Sequence, residues 1–210
     1  MICIISYASS GSIKQKNTIL LIASLIFYAW GEPLYILLLL VSSAINYIAA
    51  LLIEKFRGKT LDSVITFLAV AFNLLALGYY KYSGFIAENI NALFGSDIIS
   101  APDIDHMPIG ISFFTFQTIS YIIDCHWEEI HAEKSYRNFL MYLSLFPQLI
   151  AGPIVRYSTV AEEIHNRKIF ISDIRYGLNR FILGLSKKVI LADNLYEIVK
   201  NIFGEADNGF

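Results

Sequence analysis

Residues 33–53, PLYILLLLVSSAINYIAALLI, run for 21 positions without a charged side chain. As a helix rising about 1.5 Å per residue, such a run is roughly 30 Å long, which matches the hydrocarbon thickness of a bilayer. Every backbone N–H and C=O in hydrocarbon must find its partner within the protein, so only helices and closed barrels span membranes. The rest of the chain agrees. It is 56% hydrophobic and 16% charged, against roughly 25% charged in soluble domains, and its apolar residues come in long blocks. Two further uncharged runs, 17–30 (NTILLIASLIFYAW) and 63–80 (SVITFLAVAFNLLALGYY), read as spans. The first is short, so Lys14 and Lys16 would have to snorkel to one interface, with Tyr28 and Trp30 in the opposite aromatic belt. Gly31-Glu32-Pro33 forms the turn, with Pro33 suited to a helix start. The expected fold class is all-α, a polytopic integral membrane protein, with residues 1–210 forming one membrane domain.

Basic residues orient the hairpin. Lys14 and Lys16 precede the first span, and Lys55, Arg57 and Lys59 follow the second. A hairpin brings both groups to one side, which the positive-inside rule makes cytoplasmic. After the third span Lys81 is accompanied by Glu88, Asp97, Asp103 and Asp105, as suits an outer loop. Residues from 107 then run back inward, so the loop 124–137 returns to the cytoplasmic side.

That returning segment is chemically the richest. The uncharged runs 107–123 and 138–155 read as two more spans, yet they carry Gln117, Tyr121, Pro147, Gln148, Gly152 and Pro153. Pro/Gly breaks at membrane depth survive only when buried in protein or lining a wet cavity. Steps of four and three put Gln117, Tyr121 and Asp124 on one helical face. This stripe is either the wall of a polar channel or interhelical hydrogen bonding that holds a bundle together. Arg156 ends the broken run and is suited to pairing with an anion, either a substrate or headgroup or a structural carboxylate. Farther on, Ile174, Leu178, Phe181, Ile182, Leu185 and Val189 share a face opposite Arg180 and Lys187. Lys187 and Lys188 would cost about 2.5–3.5 kcal/mol each at the centre of a span, so an amphipathic interfacial helix near 172–202 is expected.

Other function classes find little support. A net charge of −2 lacks the basic footprint of a nucleic-acid binder. Cys3 and Cys125 form no disulfide or zinc pattern. His126 and His131 are five apart and miss the i, i+3 and i, i+4 steps of helical metal pairs, so no metal is expected. His106 is either an interfacial histidine or a general base at the outer face, and His165 reads as solvated. Residues 1–8 are too short to span and lack a signal peptide's basic n-region. Both ends read as interrupted, which suggests part of a longer protein.

Several blocks, in order, resemble one family. FYAWGEP at 27–33, PIGISFFTFQTISYIID at 108–124, YLSLFPQLIAGPIVRY at 142–157 and FILGLSKKVILAD at 181–193 resemble membrane-bound O-acyltransferases of the alginate O-acetyltransferase type, over roughly residues 17–200. The resemblance implies a helical ring with broken, re-entrant and interfacial helices around a tunnel, multi-pass in the cell (inner or plasma) membrane. Its partners would be the lipid bilayer, a cytoplasmic acyl donor and an extracytoplasmic polysaccharide such as alginate or a carrier acceptor. Other exopolysaccharide-acetylation proteins join them. The donor, acetyl-CoA or an acyl carrier, is a substrate, and no bound cofactor is implied. The family's catalytic histidine is expected beyond residue 210 and none of the four histidines matches it, so residues 1–210 alone are expected to be inactive. Gln117, Tyr121, Asp124, Gln148 and Arg156 are the tunnel-lining candidates. The same blocks occur in D-alanyl transfer proteins of teichoic acid modification, which keeps that chemistry open. A transporter with a midplane site and a non-catalytic membrane scaffold are the readings from other classes.

Overall fold

The computed structural model describes residues 2–95, 99–100, 107–150 and 152–206, and every regular element among them is helical. His106 and the outer-loop residues Asp97, Asp103 and Asp105 lie outside the described residues. Contacts divide the chain into two compact units, Met1–Asn166 and Arg167–Phe210, each taken by itself below.

The first unit begins with α1 (Ile2–Ser9) and α2 (Ile13–Gly31), followed by α3 (Tyr35–Lys55) and α4 (Thr60–Phe94). Among the described residues, α3 and α4 are the helices long and apolar enough to cross a membrane. Run 33–53 falls almost wholly within α3, and run 63–80 lies inside α4. Run 17–30 is helical within α2 but does not reach that measure. Residues 81–94, read from sequence as loop, instead continue α4 without a break. Lys81 and Glu88 can end a membrane span without ending a helix, because a charged side chain leaves the backbone hydrogen-bond ladder intact. At 35 residues α4 is roughly 50 Å long, longer than the hydrocarbon core.

The α3–α4 contact is built for close approach. Ser42, Asn46 and Ala49 are buried on α3, and Ala69, Asn73 and Leu77 on α4. Lipid tails are as apolar as leucine, so helix association in a membrane relies on small residues and interhelical hydrogen bonds. Both are present here. Asn46 Nδ2 donates to Asn73 Oδ1 at 3.2 Å, and Asn73 Nδ2 donates back to Asn46 Oδ1 at 2.6 Å. Each amide also donates along its own helix, to Ser42 O and Ala69 O, so the pair is self-contained.

Run 107–123 becomes α5 (Ile111–His126), which takes in Asp124 and His126 from the expected loop. Run 138–155 is not one helix. It gives α6 (Tyr136–Ser144), a break at Leu145, the single turn α7 (Phe146–Leu149), and non-helical backbone before α8 (Tyr157–Asn166). Pro147, in the first turn of α7, has no N–H, and its ring would clash with the carbonyl four residues back if α6 ran on.

One end of this unit gathers the turn after α3 and the segment after α5. Arg57 donates to the carbonyls of Cys125 and Ile130 at 3.2 and 3.4 Å. Asp62 Oδ1 lies 2.8 Å from His126 Nδ1, and Glu54 Oε1 lies 3.1 Å from His131 Nδ1. Glu54 also accepts the Ala132 N–H. His126 and His131 of that loop are thus engaged across the bundle.

In the second unit α9 (Ile171–Lys187) passes through a π-helical turn at 188–192 into α10 (Asp193–Ala206). The Asp173 carboxylate accepts the Phe170 N–H at 3.1 Å and so starts the helix. No side chain of α9 is buried. The apolar stripe from Ile174 to Val189 is exposed throughout.

Candidate functional site

The segments 27–33, 108–124 and 142–157 come together at one physical meeting point. From α2, the Tyr28 hydroxyl donates to Ile109 O and the Glu32 carboxylate accepts the Ile109 N–H, both at 3.1 Å. Gly110, at φ +79°, then turns the chain into α5. A Cβ placed there would stand 2.7 Å from Leu149 O, so only glycine lets the start of α5 lie against α7. Gly152 is a second close approach, where a Cβ would meet Gln148 Cα at 2.4 Å.

Beyond that turn, α5 presents its polar stripe inward. Gln117, Tyr121 and Asp124 are all buried, and each has a defined place. The break after α6 strands the carbonyls of its last turn, which need partners from outside the helix. Tyr142 O receives two: the Gln117 amide at 3.1 Å and the Gln148 amide at 2.6 Å. The Tyr142 hydroxyl donates onward to Val155 O at 2.7 Å and fastens the extended stretch before α8. The amides therefore sit where a broken helix needs donors.

Tyr121 stands at the centre of an aromatic group. Its ring lies 4.7 Å from Phe139, 5.1 Å from Tyr157 and 6.4 Å from Tyr142, with Tyr142 and Tyr157 edge to face at 5.2 Å. Its hydroxyl accepts the Glu133 N–H at 2.8 Å. Glu133 is itself buried. Its Oε1 accepts the Ser135 N–H, while Oε2 accepts the Tyr157 hydroxyl at 2.6 Å and lies 2.8 Å from His165 Nε2. Burial, and then the carboxylate beside it, push the Tyr157 phenol above its ordinary value, so it stays a donor.

This Glu133–Tyr157–His165 constellation was not found in the sequence. Glu133 reads there as one more charge of a surface loop, and His165 as solvated. A signal was present all the same. Tyr157, Ala161, Ile164 and His165 fall on one helical face, and Tyr157 and Ile164 are both buried.

Asp124 and Arg156 are brought near each other without closing a tight pair. Arg156 Nη1 stands 4.0 Å from Asp124 Oδ1 and 3.6 Å from Glu129 Oε2. The arginine is more than half exposed while the aspartate is buried, and Asp124 Oδ2 has no hydrogen-bond partner among the described residues. Burial raises the Asp124 carboxyl above the usual range, Arg156 pulls it back, and Glu129 adds to the rise. All five sequence candidates thus fall in one knot of α5, α6, α7 and α8. Gln117, Gln148 and Tyr121 each engage a backbone group, whereas Asp124 Oδ2 is left without a hydrogen-bond partner among the described residues.

Comparison with known proteins identifies the source of these blocks. The chain is 35% identical over 200 residues to the probable alginate O-acetylase AlgI of Pseudomonas syringae pv. tomato, covering 94% of this chain and 38% of that protein. The probable alginate O-acetylase AlgI of Pseudomonas aeruginosa is 34% identical with the same two coverages. The peptidoglycan O-acetyltransferase of Helicobacter pylori is 31% identical over 202 residues, covering 83% of this chain and 38% of that protein. This chain therefore spans well under half the length of these curated relatives. No protein-family model matches it, and no solved structure does. Carried along nearly its whole length by this similarity, the chain belongs to the membrane-bound O-acyltransferase family that includes these O-acetylases.

Proposed function

We propose that this chain forms part of a multi-pass enzyme of the cell membrane that O-acetylates an exported polysaccharide. The observation that carries the reading is the similarity over about 200 residues to proteins named as O-acetylases of alginate and of peptidoglycan. Both named acceptors are hydroxyl-bearing polymers outside the cytoplasm, while an activated acyl thioester, from acetyl-CoA or an acyl carrier, is a cytoplasmic donor. A passage through the membrane lets both meet at one base without either crossing the bilayer. A histidine, with an ordinary pKa near 6.5, is suited to take the acceptor's proton. In this reading the α5–α8 knot is passage wall. Gln117, Gln148 and Tyr121 shape it, and Asp124 and Arg156 supply the polar groups left for substrate. With α2 and α3 as a hairpin, the positive-inside rule supports a cytoplasmic side for Lys14, Lys16, Lys55, Arg57 and Lys59.

The test is acetylation in cells. The full-length protein, expressed in a host whose own polysaccharide O-acetylase is deleted, should restore ester-linked acetate on the exported polymer, read by proton NMR. Absence of acetate from both polysaccharide and peptidoglycan, with the protein present in the membrane, refutes the reading. Arg156→Leu should lower turnover per folded molecule about tenfold or more while membrane abundance holds. Unchanged turnover would reduce Arg156 to a structural partner of Asp124 and Glu129.

A further inference from the structure

The Glu133 carboxylate borders a cleft of about 860 Å³ between the start of α2 and the start of α6. Three cationic side chains line it: Lys14, Lys134 and Arg137. An adjoining cleft of about 550 Å³ continues past Lys14 and Arg137 toward Thr18. Among the described residues that carboxylate makes no ion pair with these cations; its two oxygens face Ser135, Tyr157 and His165 instead. Lys14 and Lys134 have no ion-pair partner among the described residues. Arg137 donates from Nη1 to the neutral hydroxyl of Thr18 at 3.2 Å, and its Nε is buried with no hydrogen-bond partner.

Arg137 lines the cleft and its hydrogen bond to Thr18 is to a neutral hydroxyl, so its charge remains open to an oxygen anion. Lone carboxylates match one cation. Three cations around a cleft of this size match a phosphate ester or pyrophosphate, whose several oxygens take up both the Arg fork and point charges from Lys. We infer that the α2–α6 cleft binds phosphate esters through Lys14, Lys134 and Arg137. The cleft lies at the α2 start, the end that the proposed topology makes cytoplasmic. There the phosphate belongs to the thioester donor, an assignment that rests on the acyl-transfer reading. An anionic phospholipid headgroup at the same interface presents the same chemistry.

The test uses the full-length protein in phosphatidylcholine nanodiscs and two probes. The first is radiolabelled coenzyme A in solution, and the second is phosphatidylglycerol replacing part of the nanodisc lipid, read as a rise in the thermal midpoint. Binding should weaken as salt is raised. It should fall about tenfold in Arg137→Gln and in the double variant Lys14→Gln/Lys134→Gln, while Lys14→Arg/Lys134→Arg retains it. The lysine double variant has no ion pair to lose, so it keeps the test independent of folding. Charge dependence in either arm supports the site, and the arm that shows it names the source. Equal responses of wild type and variants in both arms overturn it. Acetyl transfer by the same preparations separates the two ideas. A wild type that transfers acetate with no charge dependence in either arm removes the phosphate site alone. Charge-dependent binding with no transfer removes the acyl-transfer reading alone.

Discussion

The α3–α4 hairpin and the α5–α8 knot solve one problem in opposite ways. In the hairpin, long unbroken helices satisfy their own backbones, and a single reciprocal amide pair, Asn46 with Asn73, joins them. In the knot the backbone is interrupted at Leu145 and again before Tyr157. The side chains of Gln117, Gln148, Tyr142 and Glu133 take over bonds that a helix would have made. Polar side chains in the hairpin are an addition to a complete structure. Those in the knot complete an incomplete one. Their density there follows from the breaks and does not by itself mark chemistry. Asp124 and Arg156 stand apart from those repairs, 4.0 Å from each other.

The comparison can be broken most severely at Gly110. Gly110→Val forces a side chain into positive φ and against Leu149 O. It should destabilise by about 2–4 kcal/mol and sharply reduce the folded, detergent-extractable fraction. Near-normal yield would mean that the α5–α7 approach is not needed. Next is Glu133→Ala, which strands the Ser135 N–H and the Tyr157 hydroxyl in a buried place. A loss of about 2–4 kcal/mol is expected, seen as a lowered thermal midpoint, with Glu133→Gln recovering part of it.

The hairpin should respond more mildly. Asn46→Leu leaves Asn73 partly unpaired and should cost about 1 kcal/mol. Adding Asn73→Leu should restore most of it, since removing both partners is nearly neutral. Additive losses in the double variant would show that the two amides work separately.

The smallest effect is expected at Asp124. Its folded-state carboxyl is raised, so its contribution to stability is greatest at acid pH and declines as pH rises through the folded value. Asp124→Asn should therefore match wild type at acid pH and equal or slightly exceed it near neutrality, in melting curves taken across that range. An increasing deficit of the variant toward neutral pH would mean that the Arg156 pairing outweighs burial.

The hairpin was legible because charge-free length directly reports a spanning helix, and α3 falls where its run predicts. The stretch 81–94 was misread since Lys81 and Glu88 signal leaving the bilayer, which is a different event from ending a helix. Pro147 announced a break in 138–155 but not what would satisfy it. The Tyr142 carbonyl finds Gln117 on another helix, 25 residues away. Tyr157 and His165 share a helical face in the sequence, but their meeting with Glu133 was illegible for a related reason. Their meeting depends on how α6, α7 and α8 fold back, and no local period encodes that path.

The two amides on Tyr142 O also carry a consequence for tolerance. A carbonyl served twice is insured: if either glutamine is lost, the other still answers for the broken end of α6. Single changes at 117 or 148 should then be quiet in an abundance screen, and the combined change loud. A survey of single variants would rank both positions as dispensable, although the pair is not.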